Sequence, residues 1–253
     1  MNKFTFKENF IFWFFNFLNI VININKKINQ KIMKQISKCE QERIHENIYL
    51  SYKGKIVSNA ILFLSKNYIG REVLEIGGGD GSFYIKFKIK YKNLKNLISI
   101  DLVPKSKFVK KGDCTSLRFR DEQFDTIFSL DVIEHLNDNI LHECFKEVYR
   151  VLKPNGYFII NTMNNEDLNK YMFKCPECGK MFHLYGHCQV FTPYRIYKIL
   201  EKYSFKVIQI KTIILSLLAR SRFLTKIIYD FKIDKLLDLS HKDLFVIAQK
   251  KSN

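Results

Sequence analysis

Along most of the chain, short apolar-rich runs alternate with stretches whose apolar residues recur at helical spacing. Val73–Ile76, Asn96–Ile100, Phe124–Leu130 and Tyr157–Ile160 are short and rich in β-branched or aromatic residues, which reads as buried strands. Strand–helix alternation from Arg71 to Ile160 predicts a parallel sheet covered on both faces. Upstream, Gln41–Asn67 predicts one or two helices, closed by Gly70. Downstream, Tyr194–Tyr203 is spaced as a helix, Phe205–Ile214 as a strand, Leu215–Asp238 as a helix and Asp243–Lys250 as a last strand. Before Tyr157, Pro154 stops a helix and Asn155-Gly156 supplies a tight reversal.

A different pattern precedes this. Phe10–Ile22 is almost wholly apolar, yet Asn9, Asn16, Asn19 and Asn23 fall close to one helical stripe. Next, Lys27, Lys31, Lys34 and Lys38 follow helical spacing beside Ile28, Ile32 and Ile36. Three uses stay open for this arm: an interfacial helix on an anionic membrane surface, a flap packed on the domain or a second subunit, and a membrane span. Asparagine is costly in hydrocarbon, which tells against the span. The arm takes residues 1–40 and the domain 41–253, and the chain is expected in the cytoplasm, peripheral at the inner membrane face.

Charge sharpens the picture. The chain carries 42 basic against 25 acidic residues, a surplus of 17, which favours an anionic partner, either membrane or nucleic acid. Up to Lys66 there are eleven Lys or Arg against four Glu, so part of the surplus lies in the arm.

Chemistry enters at Leu74-Glu75-Ile76-Gly77-Gly78-Gly79-Asp80-Gly81-Ser82. A strand ends, glycines fall at 77, 79 and 81, and a helix follows. Side-chain-free backbone permits close approach of a ligand, and helix-start N–H groups favour a nucleotide-like one. The dinucleotide fingerprint needs a further glycine where Ser82 stands. The spacing Glu75-x-Gly77-x-Gly79-x-Gly81 instead resembles motif I of class I S-adenosylmethionine-dependent methyltransferases. Asp101, at the tip of the second strand, suits both ribose hydroxyls of a nucleoside.

Three further motifs in order carry the same resemblance. Lys111-Gly112-Asp113-Cys114 is similar to the loop after the third strand, Phe124–Leu136 to the fourth strand and its exit in small-molecule enzymes, and Glu147–Asn161 to the helix and strand that follow. The resemblance implies a doubly wound, mostly parallel seven-stranded α/β sheet of Rossmann-like type with its last strand antiparallel. It implies S-adenosylmethionine as cofactor, held by Glu75, Gly77, Gly79, Gly81, Asp101, Asp113, Cys114 and Leu130. For a hydroxyl acceptor, His135 is the first candidate base and Asp131 and Glu134 the next, three residues expected to open a helix after the fourth strand.

Cys175-Pro176-Glu177-Cys178-Gly179 reads as a metal knuckle, with His183 and His187 at the spacing of the second half of a Cys₂His₂ site. Thiolate and imidazole ligands favour a structural zinc, in an insertion at 164–191 that walls the acceptor pocket. Cys188 could replace His187. The other cysteines, Cys39, Cys114 and Cys144, show no paired spacing and fit a reducing compartment.

The acceptor expected is a small molecule, glycan or lipid. An RNA methyltransferase is the alternative that charge and zinc favour, but Ser129-Leu130-Asp131-Val132 lacks the Asn/Asp-Pro-Pro-aromatic motif of amino-methylating DNA enzymes. A non-catalytic, zinc-braced binding module is the third. Deleting Met1–Lys38 is expected to release the protein from anionic vesicles in a flotation assay; binding that survives the deletion removes the interfacial arm.

Overall fold

The computed structural model describes residues 49–175, 178–213 and 243–252. The predicted arm with Cys39, and the predicted helix Leu215–Asp238, lie outside these. Of Gln41–Asn67, the described part is a helix over Tyr49–Leu64 and a 3₁₀ turn over Lys66–Tyr68.

The described residues hold nine strands: β1 (Glu72–Ile76), β2 (Asn96–Asp101), β3 (Lys110–Lys111), β4 (Phe124–Leu130), β5 (Leu152–Met163), β6 (Met172–Lys174), β7 (Met181–His183), β8 (Phe205–Ile213) and β9 (Asp243–Lys250), of which the short β3, β6 and β7 have no predicted range. Seven of them form one sheet in the order β3-β2-β1-β4-β5-β9-β8, and β6 pairs with β7 apart from it. Pairing is parallel from β3 to β5, while β9 runs antiparallel to both β5 and β8. The order reverses between β1 and β4, which opens a crevice beyond the carboxyl ends of these strands.

Two-residue periodicity explains why this sheet needs helices on both faces. Ile127 of β4, Phe158 and Ile160 of β5 and Val246 of β9 belong to one core with Phe145, Val148, Ile196 and Leu200. The latter four lie on the helices Asp138–Val151 and Pro193–Lys202. The neighbours on the strands, Phe128, Ile159 and Ile247, point the other way, into a core with Ile61, Leu62, Phe83 and Phe87. Those come from the helices Tyr49–Leu64 and Ser82–Lys90. Strands buried on both faces read as continuous apolar runs for this reason.

Two boundaries differ from expectation. The helix before β5 ends at Val151, ahead of Pro154, and β5 begins at once at Leu152. Asn155 takes the left-handed conformation within that strand, at φ 62°, where the register with β4 shifts. The second concerns Asp131, Glu134 and His135, which do not open a helix. Ile133–His135 is a 3₁₀ turn, and the helix starts only at Asp138, because Asn137 caps it by accepting from Ile140 N at 3.0 Å.

Among the described residues, Lys174–Met181 groups as a compact unit of its own, within the predicted insertion 164–191. In it Cys175 N donates to Lys180 O and Gly179 N to Cys175 O. No helix among the described residues is long and apolar enough to cross a membrane.

Phe128 is fully buried, against Phe83 and Phe87 with ring centroids 5.0 and 5.6 Å away. Phe128→Ala is expected to destabilise the fold by about 3–5 kcal/mol, read from urea unfolding.

Candidate active site

β1 leads into a bend whose backbone is held from β2. The amides of Gly77 and Gly78 both donate to Ile100 O, at 2.8 and 3.0 Å. Gly77 sits at φ 78°, and a Cβ there would lie 2.2 Å from Val132 Cγ2, so the bend presses against the exit of β4. Gly79, at φ 49°, differs: a Cβ would meet nothing within 4 Å. Left-handed backbone beside open space is what close approach of a ligand requires.

Asp101 joins this bend to the tip of β2. Its Oδ2 accepts from Gly79 N and its Oδ1 from Val103 N, both at 2.9 Å. A carboxylate keeps further lone pairs, enough to accept a pair of hydroxyls as well. Asp80 turns to the start of the helix Ser82–Lys90, where it accepts from Ser82 N and Oγ at 2.9 and 2.8 Å.

Glu75 lies below the bend, 2 % exposed, and its Oε2 finds no partner. Burial pushes its carboxyl up to about 7, and the charges of Asp101 and Asp80 add to the effect. An orphaned polar atom at this depth fits a site completed by a ligand.

The remaining predicted cofactor residues separate. Asp113 is exposed and closes its own loop, its Oδ1 accepting from Thr115 N and Oγ1 at 2.8 Å. Leu130 is half-buried at the end of β4. Cys114 turns its thiol into the core against Cys144, which leaves its backbone to face a ligand.

At the exit of β4 the chain takes a left-handed step at Asp131, φ 55°, a conformation that non-glycine residues rarely adopt. Asn161 of β5 holds it twice: Asp131 N donates to Asn161 O and Asn161 Nδ2 to Asp131 Oδ1, each at 2.8 Å. The step brings Glu134 inward, 1 % exposed, where its Oε2 accepts from Thr162 Oγ1 at 2.8 Å and its Oε1 has no partner. Burial, then the charge of Asp131, pushes the Glu134 carboxyl up to about 7. Its carbonyl accepts from Cys188 N and Gln189 N at 2.9 and 3.2 Å, which lays the segment after His187 along the turn.

His135 places Nδ1 3.3 Å from Gly186 O, and its ring meets that of His187 edge to face, centroids 4.8 Å apart. His187 Nδ1 bonds Glu166 Oε2, a partner that no sequence spacing indicated. One donor atom from each of Glu134, His135 and His187 falls within 4.8 Å of the others, and the same holds for Glu166, His183 and His187.

Of the four predicted zinc ligands, Cys175 and Cys178 belong to the unit Lys174–Met181, and His183 and His187 to the other unit. Cys175 is buried, and its Sγ accepts from Cys178 N at 3.4 Å, the amide-to-sulfur bond that a thiolate favours. His183 Nδ1 accepts from Tyr185 N and His187 N at 3.3 and 3.1 Å. That places the proton on Nε2, so His183 as oriented does not fit the role of a zinc ligand.

Comparison with known proteins agrees with this geometry. A family model described as a methyltransferase domain matches residues 49–210. A protein of Methanocaldococcus jannaschii without assigned function is 26% identical over 129 residues, covering 49% of this chain and 56% of its own. Phosphoethanolamine N-methyltransferase 1 of Triticum aestivum is 24% identical over 161 residues, covering 56% of this chain and 32% of its own. The chain thus spans about half the length, or less, of these curated relatives. Among solved structures, a SAM-dependent methyltransferase from Archaeoglobus fulgidus superposes with TM-score 0.57 at 19% identity, covering 81% of this chain and 100% of that one. A Haemonchus contortus phosphoethanolamine N-methyltransferase 2 in complex with S-adenosyl-L-methionine gives TM-score 0.57 at 19% identity, covering 84% of this chain and 60% of that one.

The raised Glu75 carboxyl makes a prediction for the protein alone. In the folded state it holds its proton up to about pH 7, whereas the unfolded group ionises near 4.5. The folded state therefore binds more protons between these values, and stability falls as pH rises through that window. Glu75→Gln is expected to remove up to about 3 kcal/mol of that loss, measured as urea midpoints at pH 5 and pH 8.

Proposed function

The chain belongs to the methyltransferase-domain family, and from that premise we propose that it transfers the methyl group of S-adenosylmethionine to a small-molecule acceptor. The observation that carries this is the pairing of Gly79, open on its Cβ side, with Asp101 at the neighbouring strand tip. Asp101 receives the ribose hydroxyls and the bend Gly77–Gly81 lies along the nucleoside. The backbone at Asp113 and Cys114 and the side chain of Leu130 flank the adenine. Glu75 Oε2 completes its hydrogen bonding from the ligand side, directly or through water. When bound, S-adenosylmethionine supplies an electrophilic methyl on a sulfonium.

The protein's own work is orientation and proton removal. Asp131, Glu134 and His135 stand at the exit of β4, against which the glycine bend presses through Val132. His135 is the proposed base for a hydroxyl acceptor. Asp131 fixes the turn through Asn161, and Glu134 is the buried carboxyl beside both. For an amine acceptor the same groups take up the proton lost after transfer.

Several similar proteins carry names that point to small or lipid-related acceptors. They include phosphoethanolamine N-methyltransferases and, over 48 residues at 41% identity, a sterol 24-C-methyltransferase of Aspergillus fumigatus. This supports a small-molecule or lipid acceptor over a glycan. A cytoplasmic enzyme held at an anionic membrane face by the arm 1–40 is proposed with it, on the arm's charge and apolar pattern. Zinc is proposed for the cysteine turn alone, on Cys175 and Cys178. RNA remains the second reading, favoured by the net charge of +17.

The test is a radiolabelled methyl-transfer screen over cell extract divided into small-molecule, lipid, glycan, protein and RNA fractions. Label is expected in the small-molecule or lipid fraction, and label in RNA alone reverses the choice. Asp101→Ala is expected to weaken S-adenosylhomocysteine binding roughly 100-fold, about 3 kcal/mol, in calorimetry. Unchanged affinity contradicts the ribose assignment.

A further inference from the structure

We propose that Glu134, His135 and His187 bind a divalent transition-metal ion, at a site that uses neither the paired cysteines nor the glycine bend. Their donor atoms lie within 4.8 Å of one another, a spread that one ion can gather with small movements. Each of the three is already arranged as a ligand by a partner behind it. Glu134 is anchored through Oε2 to Thr162 Oγ1, leaving Oε1 buried and without a partner. A half-satisfied carboxylate, 1 % exposed, is costly unless something positive completes it.

The histidine tautomers point the same way. His135 Nδ1 faces Gly186 O, and a carbonyl only accepts, so the proton sits on Nδ1 and the lone pair on Nε2. His187 Nδ1 bonds the Glu166 carboxylate, which assigns its lone pair to Nε2 likewise. A carboxylate or carbonyl behind each imidazole is the usual outer support of a metal-bound histidine. Side chains of Glu166 and His187 are 4 % and 11 % exposed, so this support is shielded from solvent.

The overlapping group Glu166, His183 and His187 fails on the same reasoning. Glu166 Oε2 and His187 Nδ1 are hydrogen-bonded to each other, too close for both to ligate one ion. His183 Nδ1 accepts two amides, so its Nε2 is a donor and offers no lone pair.

Two imidazoles and one carboxylate suit zinc, manganese, iron, cobalt or nickel rather than calcium or magnesium. Three protein donors also leave coordination positions open, the mark of a site that takes an exogenous ligand. An acceptor hydroxyl or amine is the natural candidate, a use that rests on the methyl-transfer reading and in which His135 serves as a ligand in place of its role as base; metal binding itself does not rest on that reading.

Cobalt(II) is the probe. The full chain carrying Cys175→Ser and Cys178→Ser, stripped with chelator, is titrated with Co²⁺ and followed by visible d–d absorption and equilibrium dialysis. One equivalent is expected to bind without a sulfur-to-metal charge-transfer band. Adding Glu134→Gln or His135→Ala should each weaken binding at least tenfold, and Glu166→Gln, behind His187, by roughly 10–100-fold. Failure of the double-serine chain to take up cobalt, or affinity unchanged by both Glu134→Gln and His135→Ala, overturns the site. S-adenosylhomocysteine is titrated into the same samples. Intact cofactor uptake shows the variants folded, so a failed metal site leaves the methyl-transfer reading standing. Lost uptake in the parent chain counts against that reading instead.

Discussion

The hydrogen bond from Gly79 N to Asp101 Oδ2, 2.9 Å long, is the constraint on which the site depends. It joins two loops that the parallel sheet brings side by side, the bend after β1 and the tip of β2. The bend is also held by the amides of Gly77 and Gly78 against Ile100 O, by Gly81 N to Gly78 O and by Lys105 N to Gly79 O, but these bonds bring no side chain to the open face. With the bond to Asp101, a left-handed glycine is held with its vacant side outward, and a carboxylate is fixed beside that vacancy. One side chain thus serves the fold and, in the proposed function, the ligand as well. Such a bond fixes the loop in the geometry that binding would require.

A second clamp, built on the same logic, shapes the exit of β4. Asp131 adopts a backbone conformation that costs of order 1–3 kcal/mol outside glycine, and Asn161 on the neighbouring strand offsets it with two hydrogen bonds. The step lets Glu134 drop into the interior while His135 stays half-exposed. Buried carboxyls with raised pKa therefore stand at both ends of the site, Glu75 under the bend and Glu134 under the turn. Each has one oxygen without a partner, which is a destabilising arrangement for a protein alone and a suitable one for a protein that receives ligands.

The sheet was legible because strands buried on both faces leave apolar-rich runs: Leu244–Ala248 is unbroken, Val73–Ile76 is interrupted only by Glu75, and Phe124–Leu130 by Asp125, Thr126 and Ser129. The bend was legible because glycines at 77, 79 and 81, set between an apolar-rich run and a helix, mark backbone that leaves no room for side chains or takes left-handed conformations. Local signals were misread where two of them competed. Pro154 suggested the helix stop that Val151 makes earlier, and the charged run Asp131–His135 suggested a helix start that belongs to Asn137. What could not be read is what the topology alone assembles. Glu166 and His187 stand 21 positions apart, Glu134 and Thr162 stand 28 apart, and the Cys114 thiol turns inward to Cys144. No periodicity links such pairs; they meet because β4, β5 and the segment after β7 converge at one end of the sheet.

The central claim is that the open side of Gly79 is where the cofactor lies, and it can be tested by filling that space. Asparagine tolerates left-handed backbone, so Gly79→Asn keeps the bend while placing a side chain in the vacancy. Calorimetric titration with S-adenosylhomocysteine is the direct measurement, with unfolding followed on the same samples. The account predicts near-native stability and an affinity at least tenfold weaker, about 1.4 kcal/mol or more. A folded variant that binds as tightly as the parent chain would contradict it.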